Sequence, residues 1–256
     1  MNKSIWWLIL VVALGAAAFF YFRLEGEKSQ GPQLPAPAAE PPIRHPIEAA
    51  GPADAPGEPL PPLAESDAAI RQMLAELFGA GLEKIFNLKD IIHRIVATVD
   101  NLPRDHLSLQ LMPVKPVAGR PVTEGKGENL RLSPQNAARY SSYMRLTKAV
   151  PSERLVAVYV YFYPLFQEQY EKLGYPGKYF NDRLVEVIDH LLATPEVQKP
   201  LVLTQPKVLY EYADPKLERL SAGQKILLRI GSENAAKVKA KLREIRSALV
   251  SKPPKG

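Results

Sequence analysis

The chain of 256 residues contains no cysteine. That excludes disulfides, thiolate zinc sites, a cysteine nucleophile and a lipidated N-terminal cysteine. Catalytic signatures are missing as well. No serine stands in G-x-S-x-G, and none is followed by lysine three residues later. Gly119 and Gly125-Lys126 are one residue too far apart for a phosphate-binding loop. None of the four histidines, His45, His93, His106 and His190, begins H-E-x-x-H. Glycine is sparse, at 15 residues against 25 prolines. Nothing in these residues names a reaction or a cofactor, and no cofactor or metal is expected.

The prolines are uneven: residues 31–64 hold 11 of the 25. Charge is uneven too. Residues 1–64 carry four basic and six acidic side chains, whereas residues 214–256 carry 11 basic and four acidic ones. Nearly all of the net charge of +6 therefore resides near the C-terminal end.

Long apolar runs are absent but for one. Residues 5–22, IWWLILVVALGAAAFFYF, include no charge. At a helical rise this run spans about 27 Å, close to the hydrocarbon thickness of a bilayer. Trp6 and Trp7 stand at one end and Phe19, Phe20, Tyr21 and Phe22 at the other, as in the aromatic belts of a spanning helix. The rival is a signal peptide cleaved after the small residues 16–18, but four aromatics follow that point and the apolar run continues. The reading is an uncleaved anchor over residues 1–23. The basic residues Lys3, Arg23 and Lys28 divide almost evenly between its two sides. A short tail before a long exported domain puts the N-terminus in the cytoplasm and the domain outside. No G-x-x-x-G is present in the anchor, so dimerisation through it is not predicted.

Residues 24–64 are rich in Pro, Ala, Glu and Gly and hold no aromatic residue. They cannot bury enough apolar surface to fold and read as a disordered spacer. Extended as polyproline II, such an arm reaches on the order of 100 Å.

The folded part is predicted to be a mainly α, multi-helix globular domain over residues 65–250, with a short β-hairpin and a disordered tail at 251–256. Ser66 is placed as the cap of a helix over 67–78 that Gly79 ends. Leu88, Ile91, Ile92, Ile95 and Val99 give a helix over 88–101. Ser133-Pro134 opens another, to about residue 148. Residues 152–173 read as one long helix, kinked at Pro164. Asn181 caps a helix over 182–192. Residues 201–204 and 208–213 are the strand candidates. Asp214-Pro215 opens a short helix, Ser221-x-x-Gln224 has the capping-box form, and Ser232 caps the last helix, to about residue 250.

Four stretches carry a resemblance to a known family: LPPLAESDAAIRQML, IVATVDNLPR, GYPGKYFNDRLVEVIDHLLATP and VLYEYADPKLERLSAGQKILLRIGSENAAKVKAKLREIR. They resemble the bacterial "domain of unknown function 3014" family over about residues 60–246, least well at 104–132. The resemblance implies a Gram-negative, membrane-anchored protein with a Pro-rich spacer. It implies no activity.

Two groups of side chains are candidates for function. Asp182, Glu186, Asp189 and His190 share one helix face. Glu186 and His190 have the spacing of a metal chelate, and Glu186, Asp189 and His190 that of an acid–base group. The plainer account is the charged face of a surface helix whose other face holds Leu184, Val187, Ile188 and Leu191. The second group is the aromatic turn from Gly174 to Asn181, where Tyr175, Lys178, Tyr179, Phe180 and Arg183 combine residue types common at binding hot spots. Those aromatics either plug the core or meet a partner. The basic C-terminal helix, with Lys237, Lys239, Lys241, Arg243 and Arg246, reads as a solvated face or as a contact for anionic envelope polymer or lipid. Nucleic acid is not expected, since no recognition motif is present.

The favoured function is a non-enzymatic interaction or scaffold module of the cell envelope, on a single-pass inner-membrane protein with a periplasmic domain, binding an envelope protein or anionic polymer. The alternative is an envelope hydrolase built on Glu186, Asp189 and His190. Carbonate washing is expected to leave the full chain, still beginning at Met1, in the membrane pellet. A soluble product starting after residue 18 would mean a cleaved signal peptide.

Overall fold

The computed structural model describes residues 42–47, 60–79 and 81–250. All of these belong to one compact unit that begins at Pro42. The apolar run 5–22 lies outside the described residues, and among these no helix is long and apolar enough to cross a membrane. The domain is mainly helical with small antiparallel strand pairs.

A 3-10 turn over Leu63–Glu65 leads into helix α1, Ser66–Phe78. Ser66 is the first helical residue and not the cap; its hydroxyl donates to the Leu63 carbonyl at 2.7 Å. Leu60 and Leu63, in the stretch read as spacer, pack against the main core. Helix α2 spans Ile91–Asn101 and starts later than its apolar stripe implied. Asp90 has a left-handed backbone, φ 51°, which breaks the helix before Leu88 can join it. The Asp67 carboxylate of α1 accepts the Asp90 and Ile91 N–H groups at 2.8 and 3.1 Å. A residue from another helix thus supplies the cap that residues 88–90 lack.

The irregular connection after α2 contains β1, Thr123–Glu124, paired antiparallel with β2, Arg131–Leu132. The Ser133 hydroxyl accepts the Gln135 N–H at 3.3 Å, as its cap position predicts. The helix expected from there to residue 148 is split: a 3-10 stretch over Pro134–Tyr140, then α3, Ser141–Ala149. The kinked helix expected at 152–173 is likewise two helices, α4, Ser152–Tyr161, and α5, Tyr163–Lys172. Pro164 offers no N–H, and its ring collides with the carbonyl four residues back, so α4 stops and restarts around the buried Phe162.

Helix α6 covers Phe180–Leu192. Asn181 does not cap it as its residue type predicts: Tyr179 occupies the cap position and Asn181 is fully buried inside the first turn. Next come β3, Leu203–Thr204, and β4, Glu211–Tyr212, with Leu203 opposite Tyr212. The two strand pairs join where Leu203 N–H donates to the Leu130 carbonyl at 2.8 Å and Leu132 N–H to that of Leu201 at 2.9 Å. Short α7, Pro215–Glu218, is capped by Asp214. Helix α8, Ala222–Arg229, has both bonds of the Ser221–Gln224 capping box. Gly231, φ 88°, turns the chain into α9, Ser232–Val250, of which Ser232 is the first residue and not the cap.

The main core joins α1, α2, α4, α5 and the start of α6 through Ile70, Ile91, Val96, Phe162, Phe166 and Phe180. Helix α9 lies on α4 and α6, where Leu249 meets Val185 and Ile188. The basic face of α9 is not simply solvated. Lys239 is 5% exposed and donates to the Thr194 carbonyl at 2.6 Å. Lys241 donates to the Val150 carbonyl at 2.6 Å, Lys237 pairs with Glu233, and Arg246 pairs with Asp189 of α6. A long lysine stem runs along apolar surface and still places its ammonium on an otherwise open carbonyl.

Gly223 sets how closely α8 approaches α2. Its N–H donates to the Leu102 carbonyl at 2.9 Å, and a Cβ there would stand 2.6 Å from Leu191 Cδ2 and 3.1 Å from that carbonyl oxygen. Gly223→Ala is therefore expected to destabilise the domain by about 1–3 kcal/mol through overpacking, read as a lower denaturation midpoint at unchanged slope.

Candidate functional site

The aromatic turn between α5 and α6 contains Gly174 and Gly177, both at positive φ, 100° and 69°. Its rings divide between core and surface. Phe180 is 1% exposed and sits among Tyr159, Phe166 and Tyr170. Tyr175 stacks on Tyr170 with centroids 4.7 Å apart, and Tyr179 lies 5.4 Å from Tyr163. Both are half-buried, with ring packed and hydroxyl in polar contact. Gln167 of α5 holds the turn. Its Oε1 accepts the Phe180 N–H at 2.8 Å and the Tyr163 hydroxyl at 3.0 Å, while Nε2 donates to the Lys178 carbonyl at 2.8 Å. The Lys178 ammonium is exposed and lies 5.3 Å from the Tyr175 centroid.

Behind the turn stands Asp100 of α2, only 5% exposed. A carboxylate at that depth needs charge partners. Arg183 of α6 donates through Nε to Oδ1 at 3.0 Å and through Nη2 to the Asp100 carbonyl at 2.9 Å. Arg104, one turn along from Asp100, donates to Oδ2 at 2.7 Å and to the Tyr175 hydroxyl at 3.1 Å. That hydroxyl donates in turn to Oδ2 at 3.0 Å. The hydrogen bond to Asp100 raises the Arg104 pKa. Burial, and next the Asp100 charge, push the Tyr170 phenol up to about 12.

On the other side of the turn, residues 44–47 lie against the start of α6. The Asp182 carboxylate accepts the Arg44 N–H at 3.0 Å and the His45 N–H at 2.7 Å. Asn181 Nδ2 donates to the His45 carbonyl at 2.9 Å, while its Oδ1 accepts the Tyr159 hydroxyl at 3.2 Å. The Tyr179 hydroxyl accepts the Ile47 N–H at 2.7 Å and donates to the Ile47 carbonyl at 3.2 Å. The Ile47 side chain packs on the cluster of Val185, Ile188 and Leu249. Six residues of the stretch read as spacer thus hold a defined place on the domain.

The acid–base candidates share a helix face but not a site. Glu186 pairs with Arg183 at 3.0 Å. Asp189 receives Arg246 of α9, with Nη2 to Oδ2 at 2.9 Å. His190 Nε2 stands 2.8 Å from the Ser221 hydroxyl, which is the cap of α8. Among the described residues no group of three or more acidic or histidine side chains is placed to hold a metal ion.

Residues 91–246, more than half of the chain, match the family model described as "Protein of unknown function (DUF3014)". The chain belongs to the DUF3014 family. No curated protein and no solved structure matches it. The DUF3014 region contains Asp100, Arg104, Gln167, the aromatic turn and all of α6, whereas residues 42–47 precede it.

Sequence reading found the turn and its flanking Arg183 but missed Asp100, Arg104 and Gln167. One local signal existed: Asp100 and Arg104 are four apart at the end of a helix, a spacing that permits an ion pair. Asp100→Ala is expected to cost about 3 kcal/mol, because it leaves the largely covered Arg183 with only the exposed Glu186 as charge partner. Arg104→Ala, with 53% of that side chain exposed, should cost about 1 kcal/mol or less. Equal losses in thermal or chemical denaturation would refute Asp100 as the centre of this network.

Proposed function

We propose that this DUF3014 protein is a tethered, non-enzymatic interaction module of the bacterial cell envelope. In this reading residues 5–22 anchor it in the inner membrane with the N-terminus cytoplasmic. The Pro-rich arm carries the domain into the periplasm. There the face formed by the aromatic turn and the start of α6 binds a short bent segment of polypeptide.

One observation carries the binding mode. Five hydrogen bonds from Tyr179, Asn181 and Asp182 hold the backbone of Arg44, His45 and Ile47. The backbone bends at Arg44 and His45, which turns two successive N–H groups toward one carboxylate; this grip selects the bent conformation, and an apolar contact beside it selects a side chain. Asn181 suits the task because its amide donates to the segment while its oxygen is held by Tyr159. The surrounding rings keep this surface rigid, so little entropy is lost on binding.

Two features support a polypeptide over the other candidates. The hydrolase reading needs Glu186, Asp189 and His190 to converge, and each is engaged by a different element. An anionic polymer needs free cations on α9, yet Lys237, Lys239, Lys241 and Arg246 already have internal partners, which leaves Arg243 as the exposed cation of that set.

The full chain, solubilised from membranes, is expected to capture one envelope polypeptide stoichiometrically. Asp182→Ala should abolish that capture with the melting temperature within a few degrees of wild type. Turnover of cell-wall fragments that disappears in Glu186→Gln would instead establish the hydrolase.

A further inference from the structure

The segment seated on α6 is held shallowly. Arg44 and Pro46 are exposed, Ile43 is 55% exposed, and His45 and Ile47 are only half-covered. Ile47 is the residue of the segment that joins an apolar cluster. Every hydrogen bond that Asp182, Asn181 and Tyr179 make to the segment ends on a backbone atom. The grip therefore reads little of the arm's own sequence, beyond an aliphatic side chain next to a proline. The receiving surface, in contrast, is built: Asn181 is fully buried, and Tyr159 holds its other end.

We propose that this cradle is the recognition site for a bent x–x–Pro–aliphatic segment of a separate polypeptide, and that residues 44–47 are its built-in competitor. The proposal rests on the interaction-module reading and names the site and the partner chemistry. Residues 44–47 act as a latch. While they are seated, the two carboxylate oxygens of Asp182, the Asn181 amide and the Tyr179 hydroxyl are all engaged. A partner gains the site when the latch leaves. Its apparent affinity is reduced by the fraction of time the latch is closed. Two successive N–H groups satisfy Asp182. A carbonyl between them and the proline takes the Asn181 amide. The aliphatic residue after the proline covers Val185, Ile188 and Leu249. The proline fixes its own φ and lowers the entropy lost on docking.

The probe is a labelled peptide of residues 42–48, Pro-Ile-Arg-His-Pro-Ile-Glu, added to the full chain in detergent micelles and followed by fluorescence anisotropy. The chain lacking residues 42–48 should bind the peptide at least about tenfold more tightly than wild type, as expected when an internal competitor is removed. Adding Asp182→Ala to that chain, or Ile47→Asp to the peptide, should each weaken binding about tenfold or more. The peptide substitution leaves the protein untouched, so a folding defect cannot imitate its effect. Absence of binding to the chain without the latch overturns the proposal. So does binding that ignores both Asp182→Ala and the altered peptide. A wild-type chain that runs as a dimer and is split by the peptide assigns the cradle to a second copy's arm and overturns a separate partner. Peptide binding without capture of any envelope polypeptide sinks the module function and leaves the cradle. Capture without peptide binding does the reverse.

Discussion

The Asp100 carboxylate is the constraint around which this face of the domain is arranged. It lies at the end of α2, nearly out of solvent, and an unpaired charge there costs several kcal/mol. Its neutralisation comes from three directions: Arg104 just past the end of α2, Arg183 on α6, and the Tyr175 hydroxyl in the turn before α6. Satisfying one carboxylate therefore fixes where α6 begins relative to α2. It also fixes which way Tyr175 faces, and Tyr175 stacked on Tyr170 orders the rest of the aromatic turn. Asn181 and Asp182 come within two residues of that turn, so the cradle inherits its position from a bond network on the opposite side.

Gln167 plays the matching role from α5. The turn has a free carbonyl at Lys178 and a free N–H at Phe180, and one amide side chain meets both. Its placement depends on the break between α4 and α5. Without Pro164 a continuous helix would carry residues 165–173 along another direction, and Gln167 would no longer face the turn. A proline that costs one helix its continuity thus lets a neighbouring loop satisfy its backbone.

Much of the architecture was legible because its causes are local. Ser221 and Gln224 form their capping box from side chains three residues apart, and Asp214-Pro215 and Gly231 act on their own backbone. The strand pair near residues 201–213 and the face holding Leu184, Val187, Ile188 and Leu191 came from periodicity alone. What escaped was non-local. The start of α2 is capped by Asp67, 23 residues before Asp90. Asn181 looked like a cap because Asn caps helices well, yet it was drawn into a buried exchange with Tyr159 and the arm. Lys239 looked solvated because lysine usually is, until the Thr194 carbonyl claimed it.

By itself the sequence determined the class of the domain and the sites of its local punctuation. It also singled out the apolar run at 5–22 and the aromatic turn, since propensity, periodicity and turn chemistry depend on neighbours within about one helical turn. Only the tertiary structure decided which polar groups meet. Asp100 could have paired with many cations, and the residues of the Pro-rich arm carry no local signal that six of them would find a seat on α6. Burial made the difference: once a carboxylate, an amide or a carbonyl is removed from water, it must take the partner that packing brings within about 3 Å. Packing is a property of the whole chain.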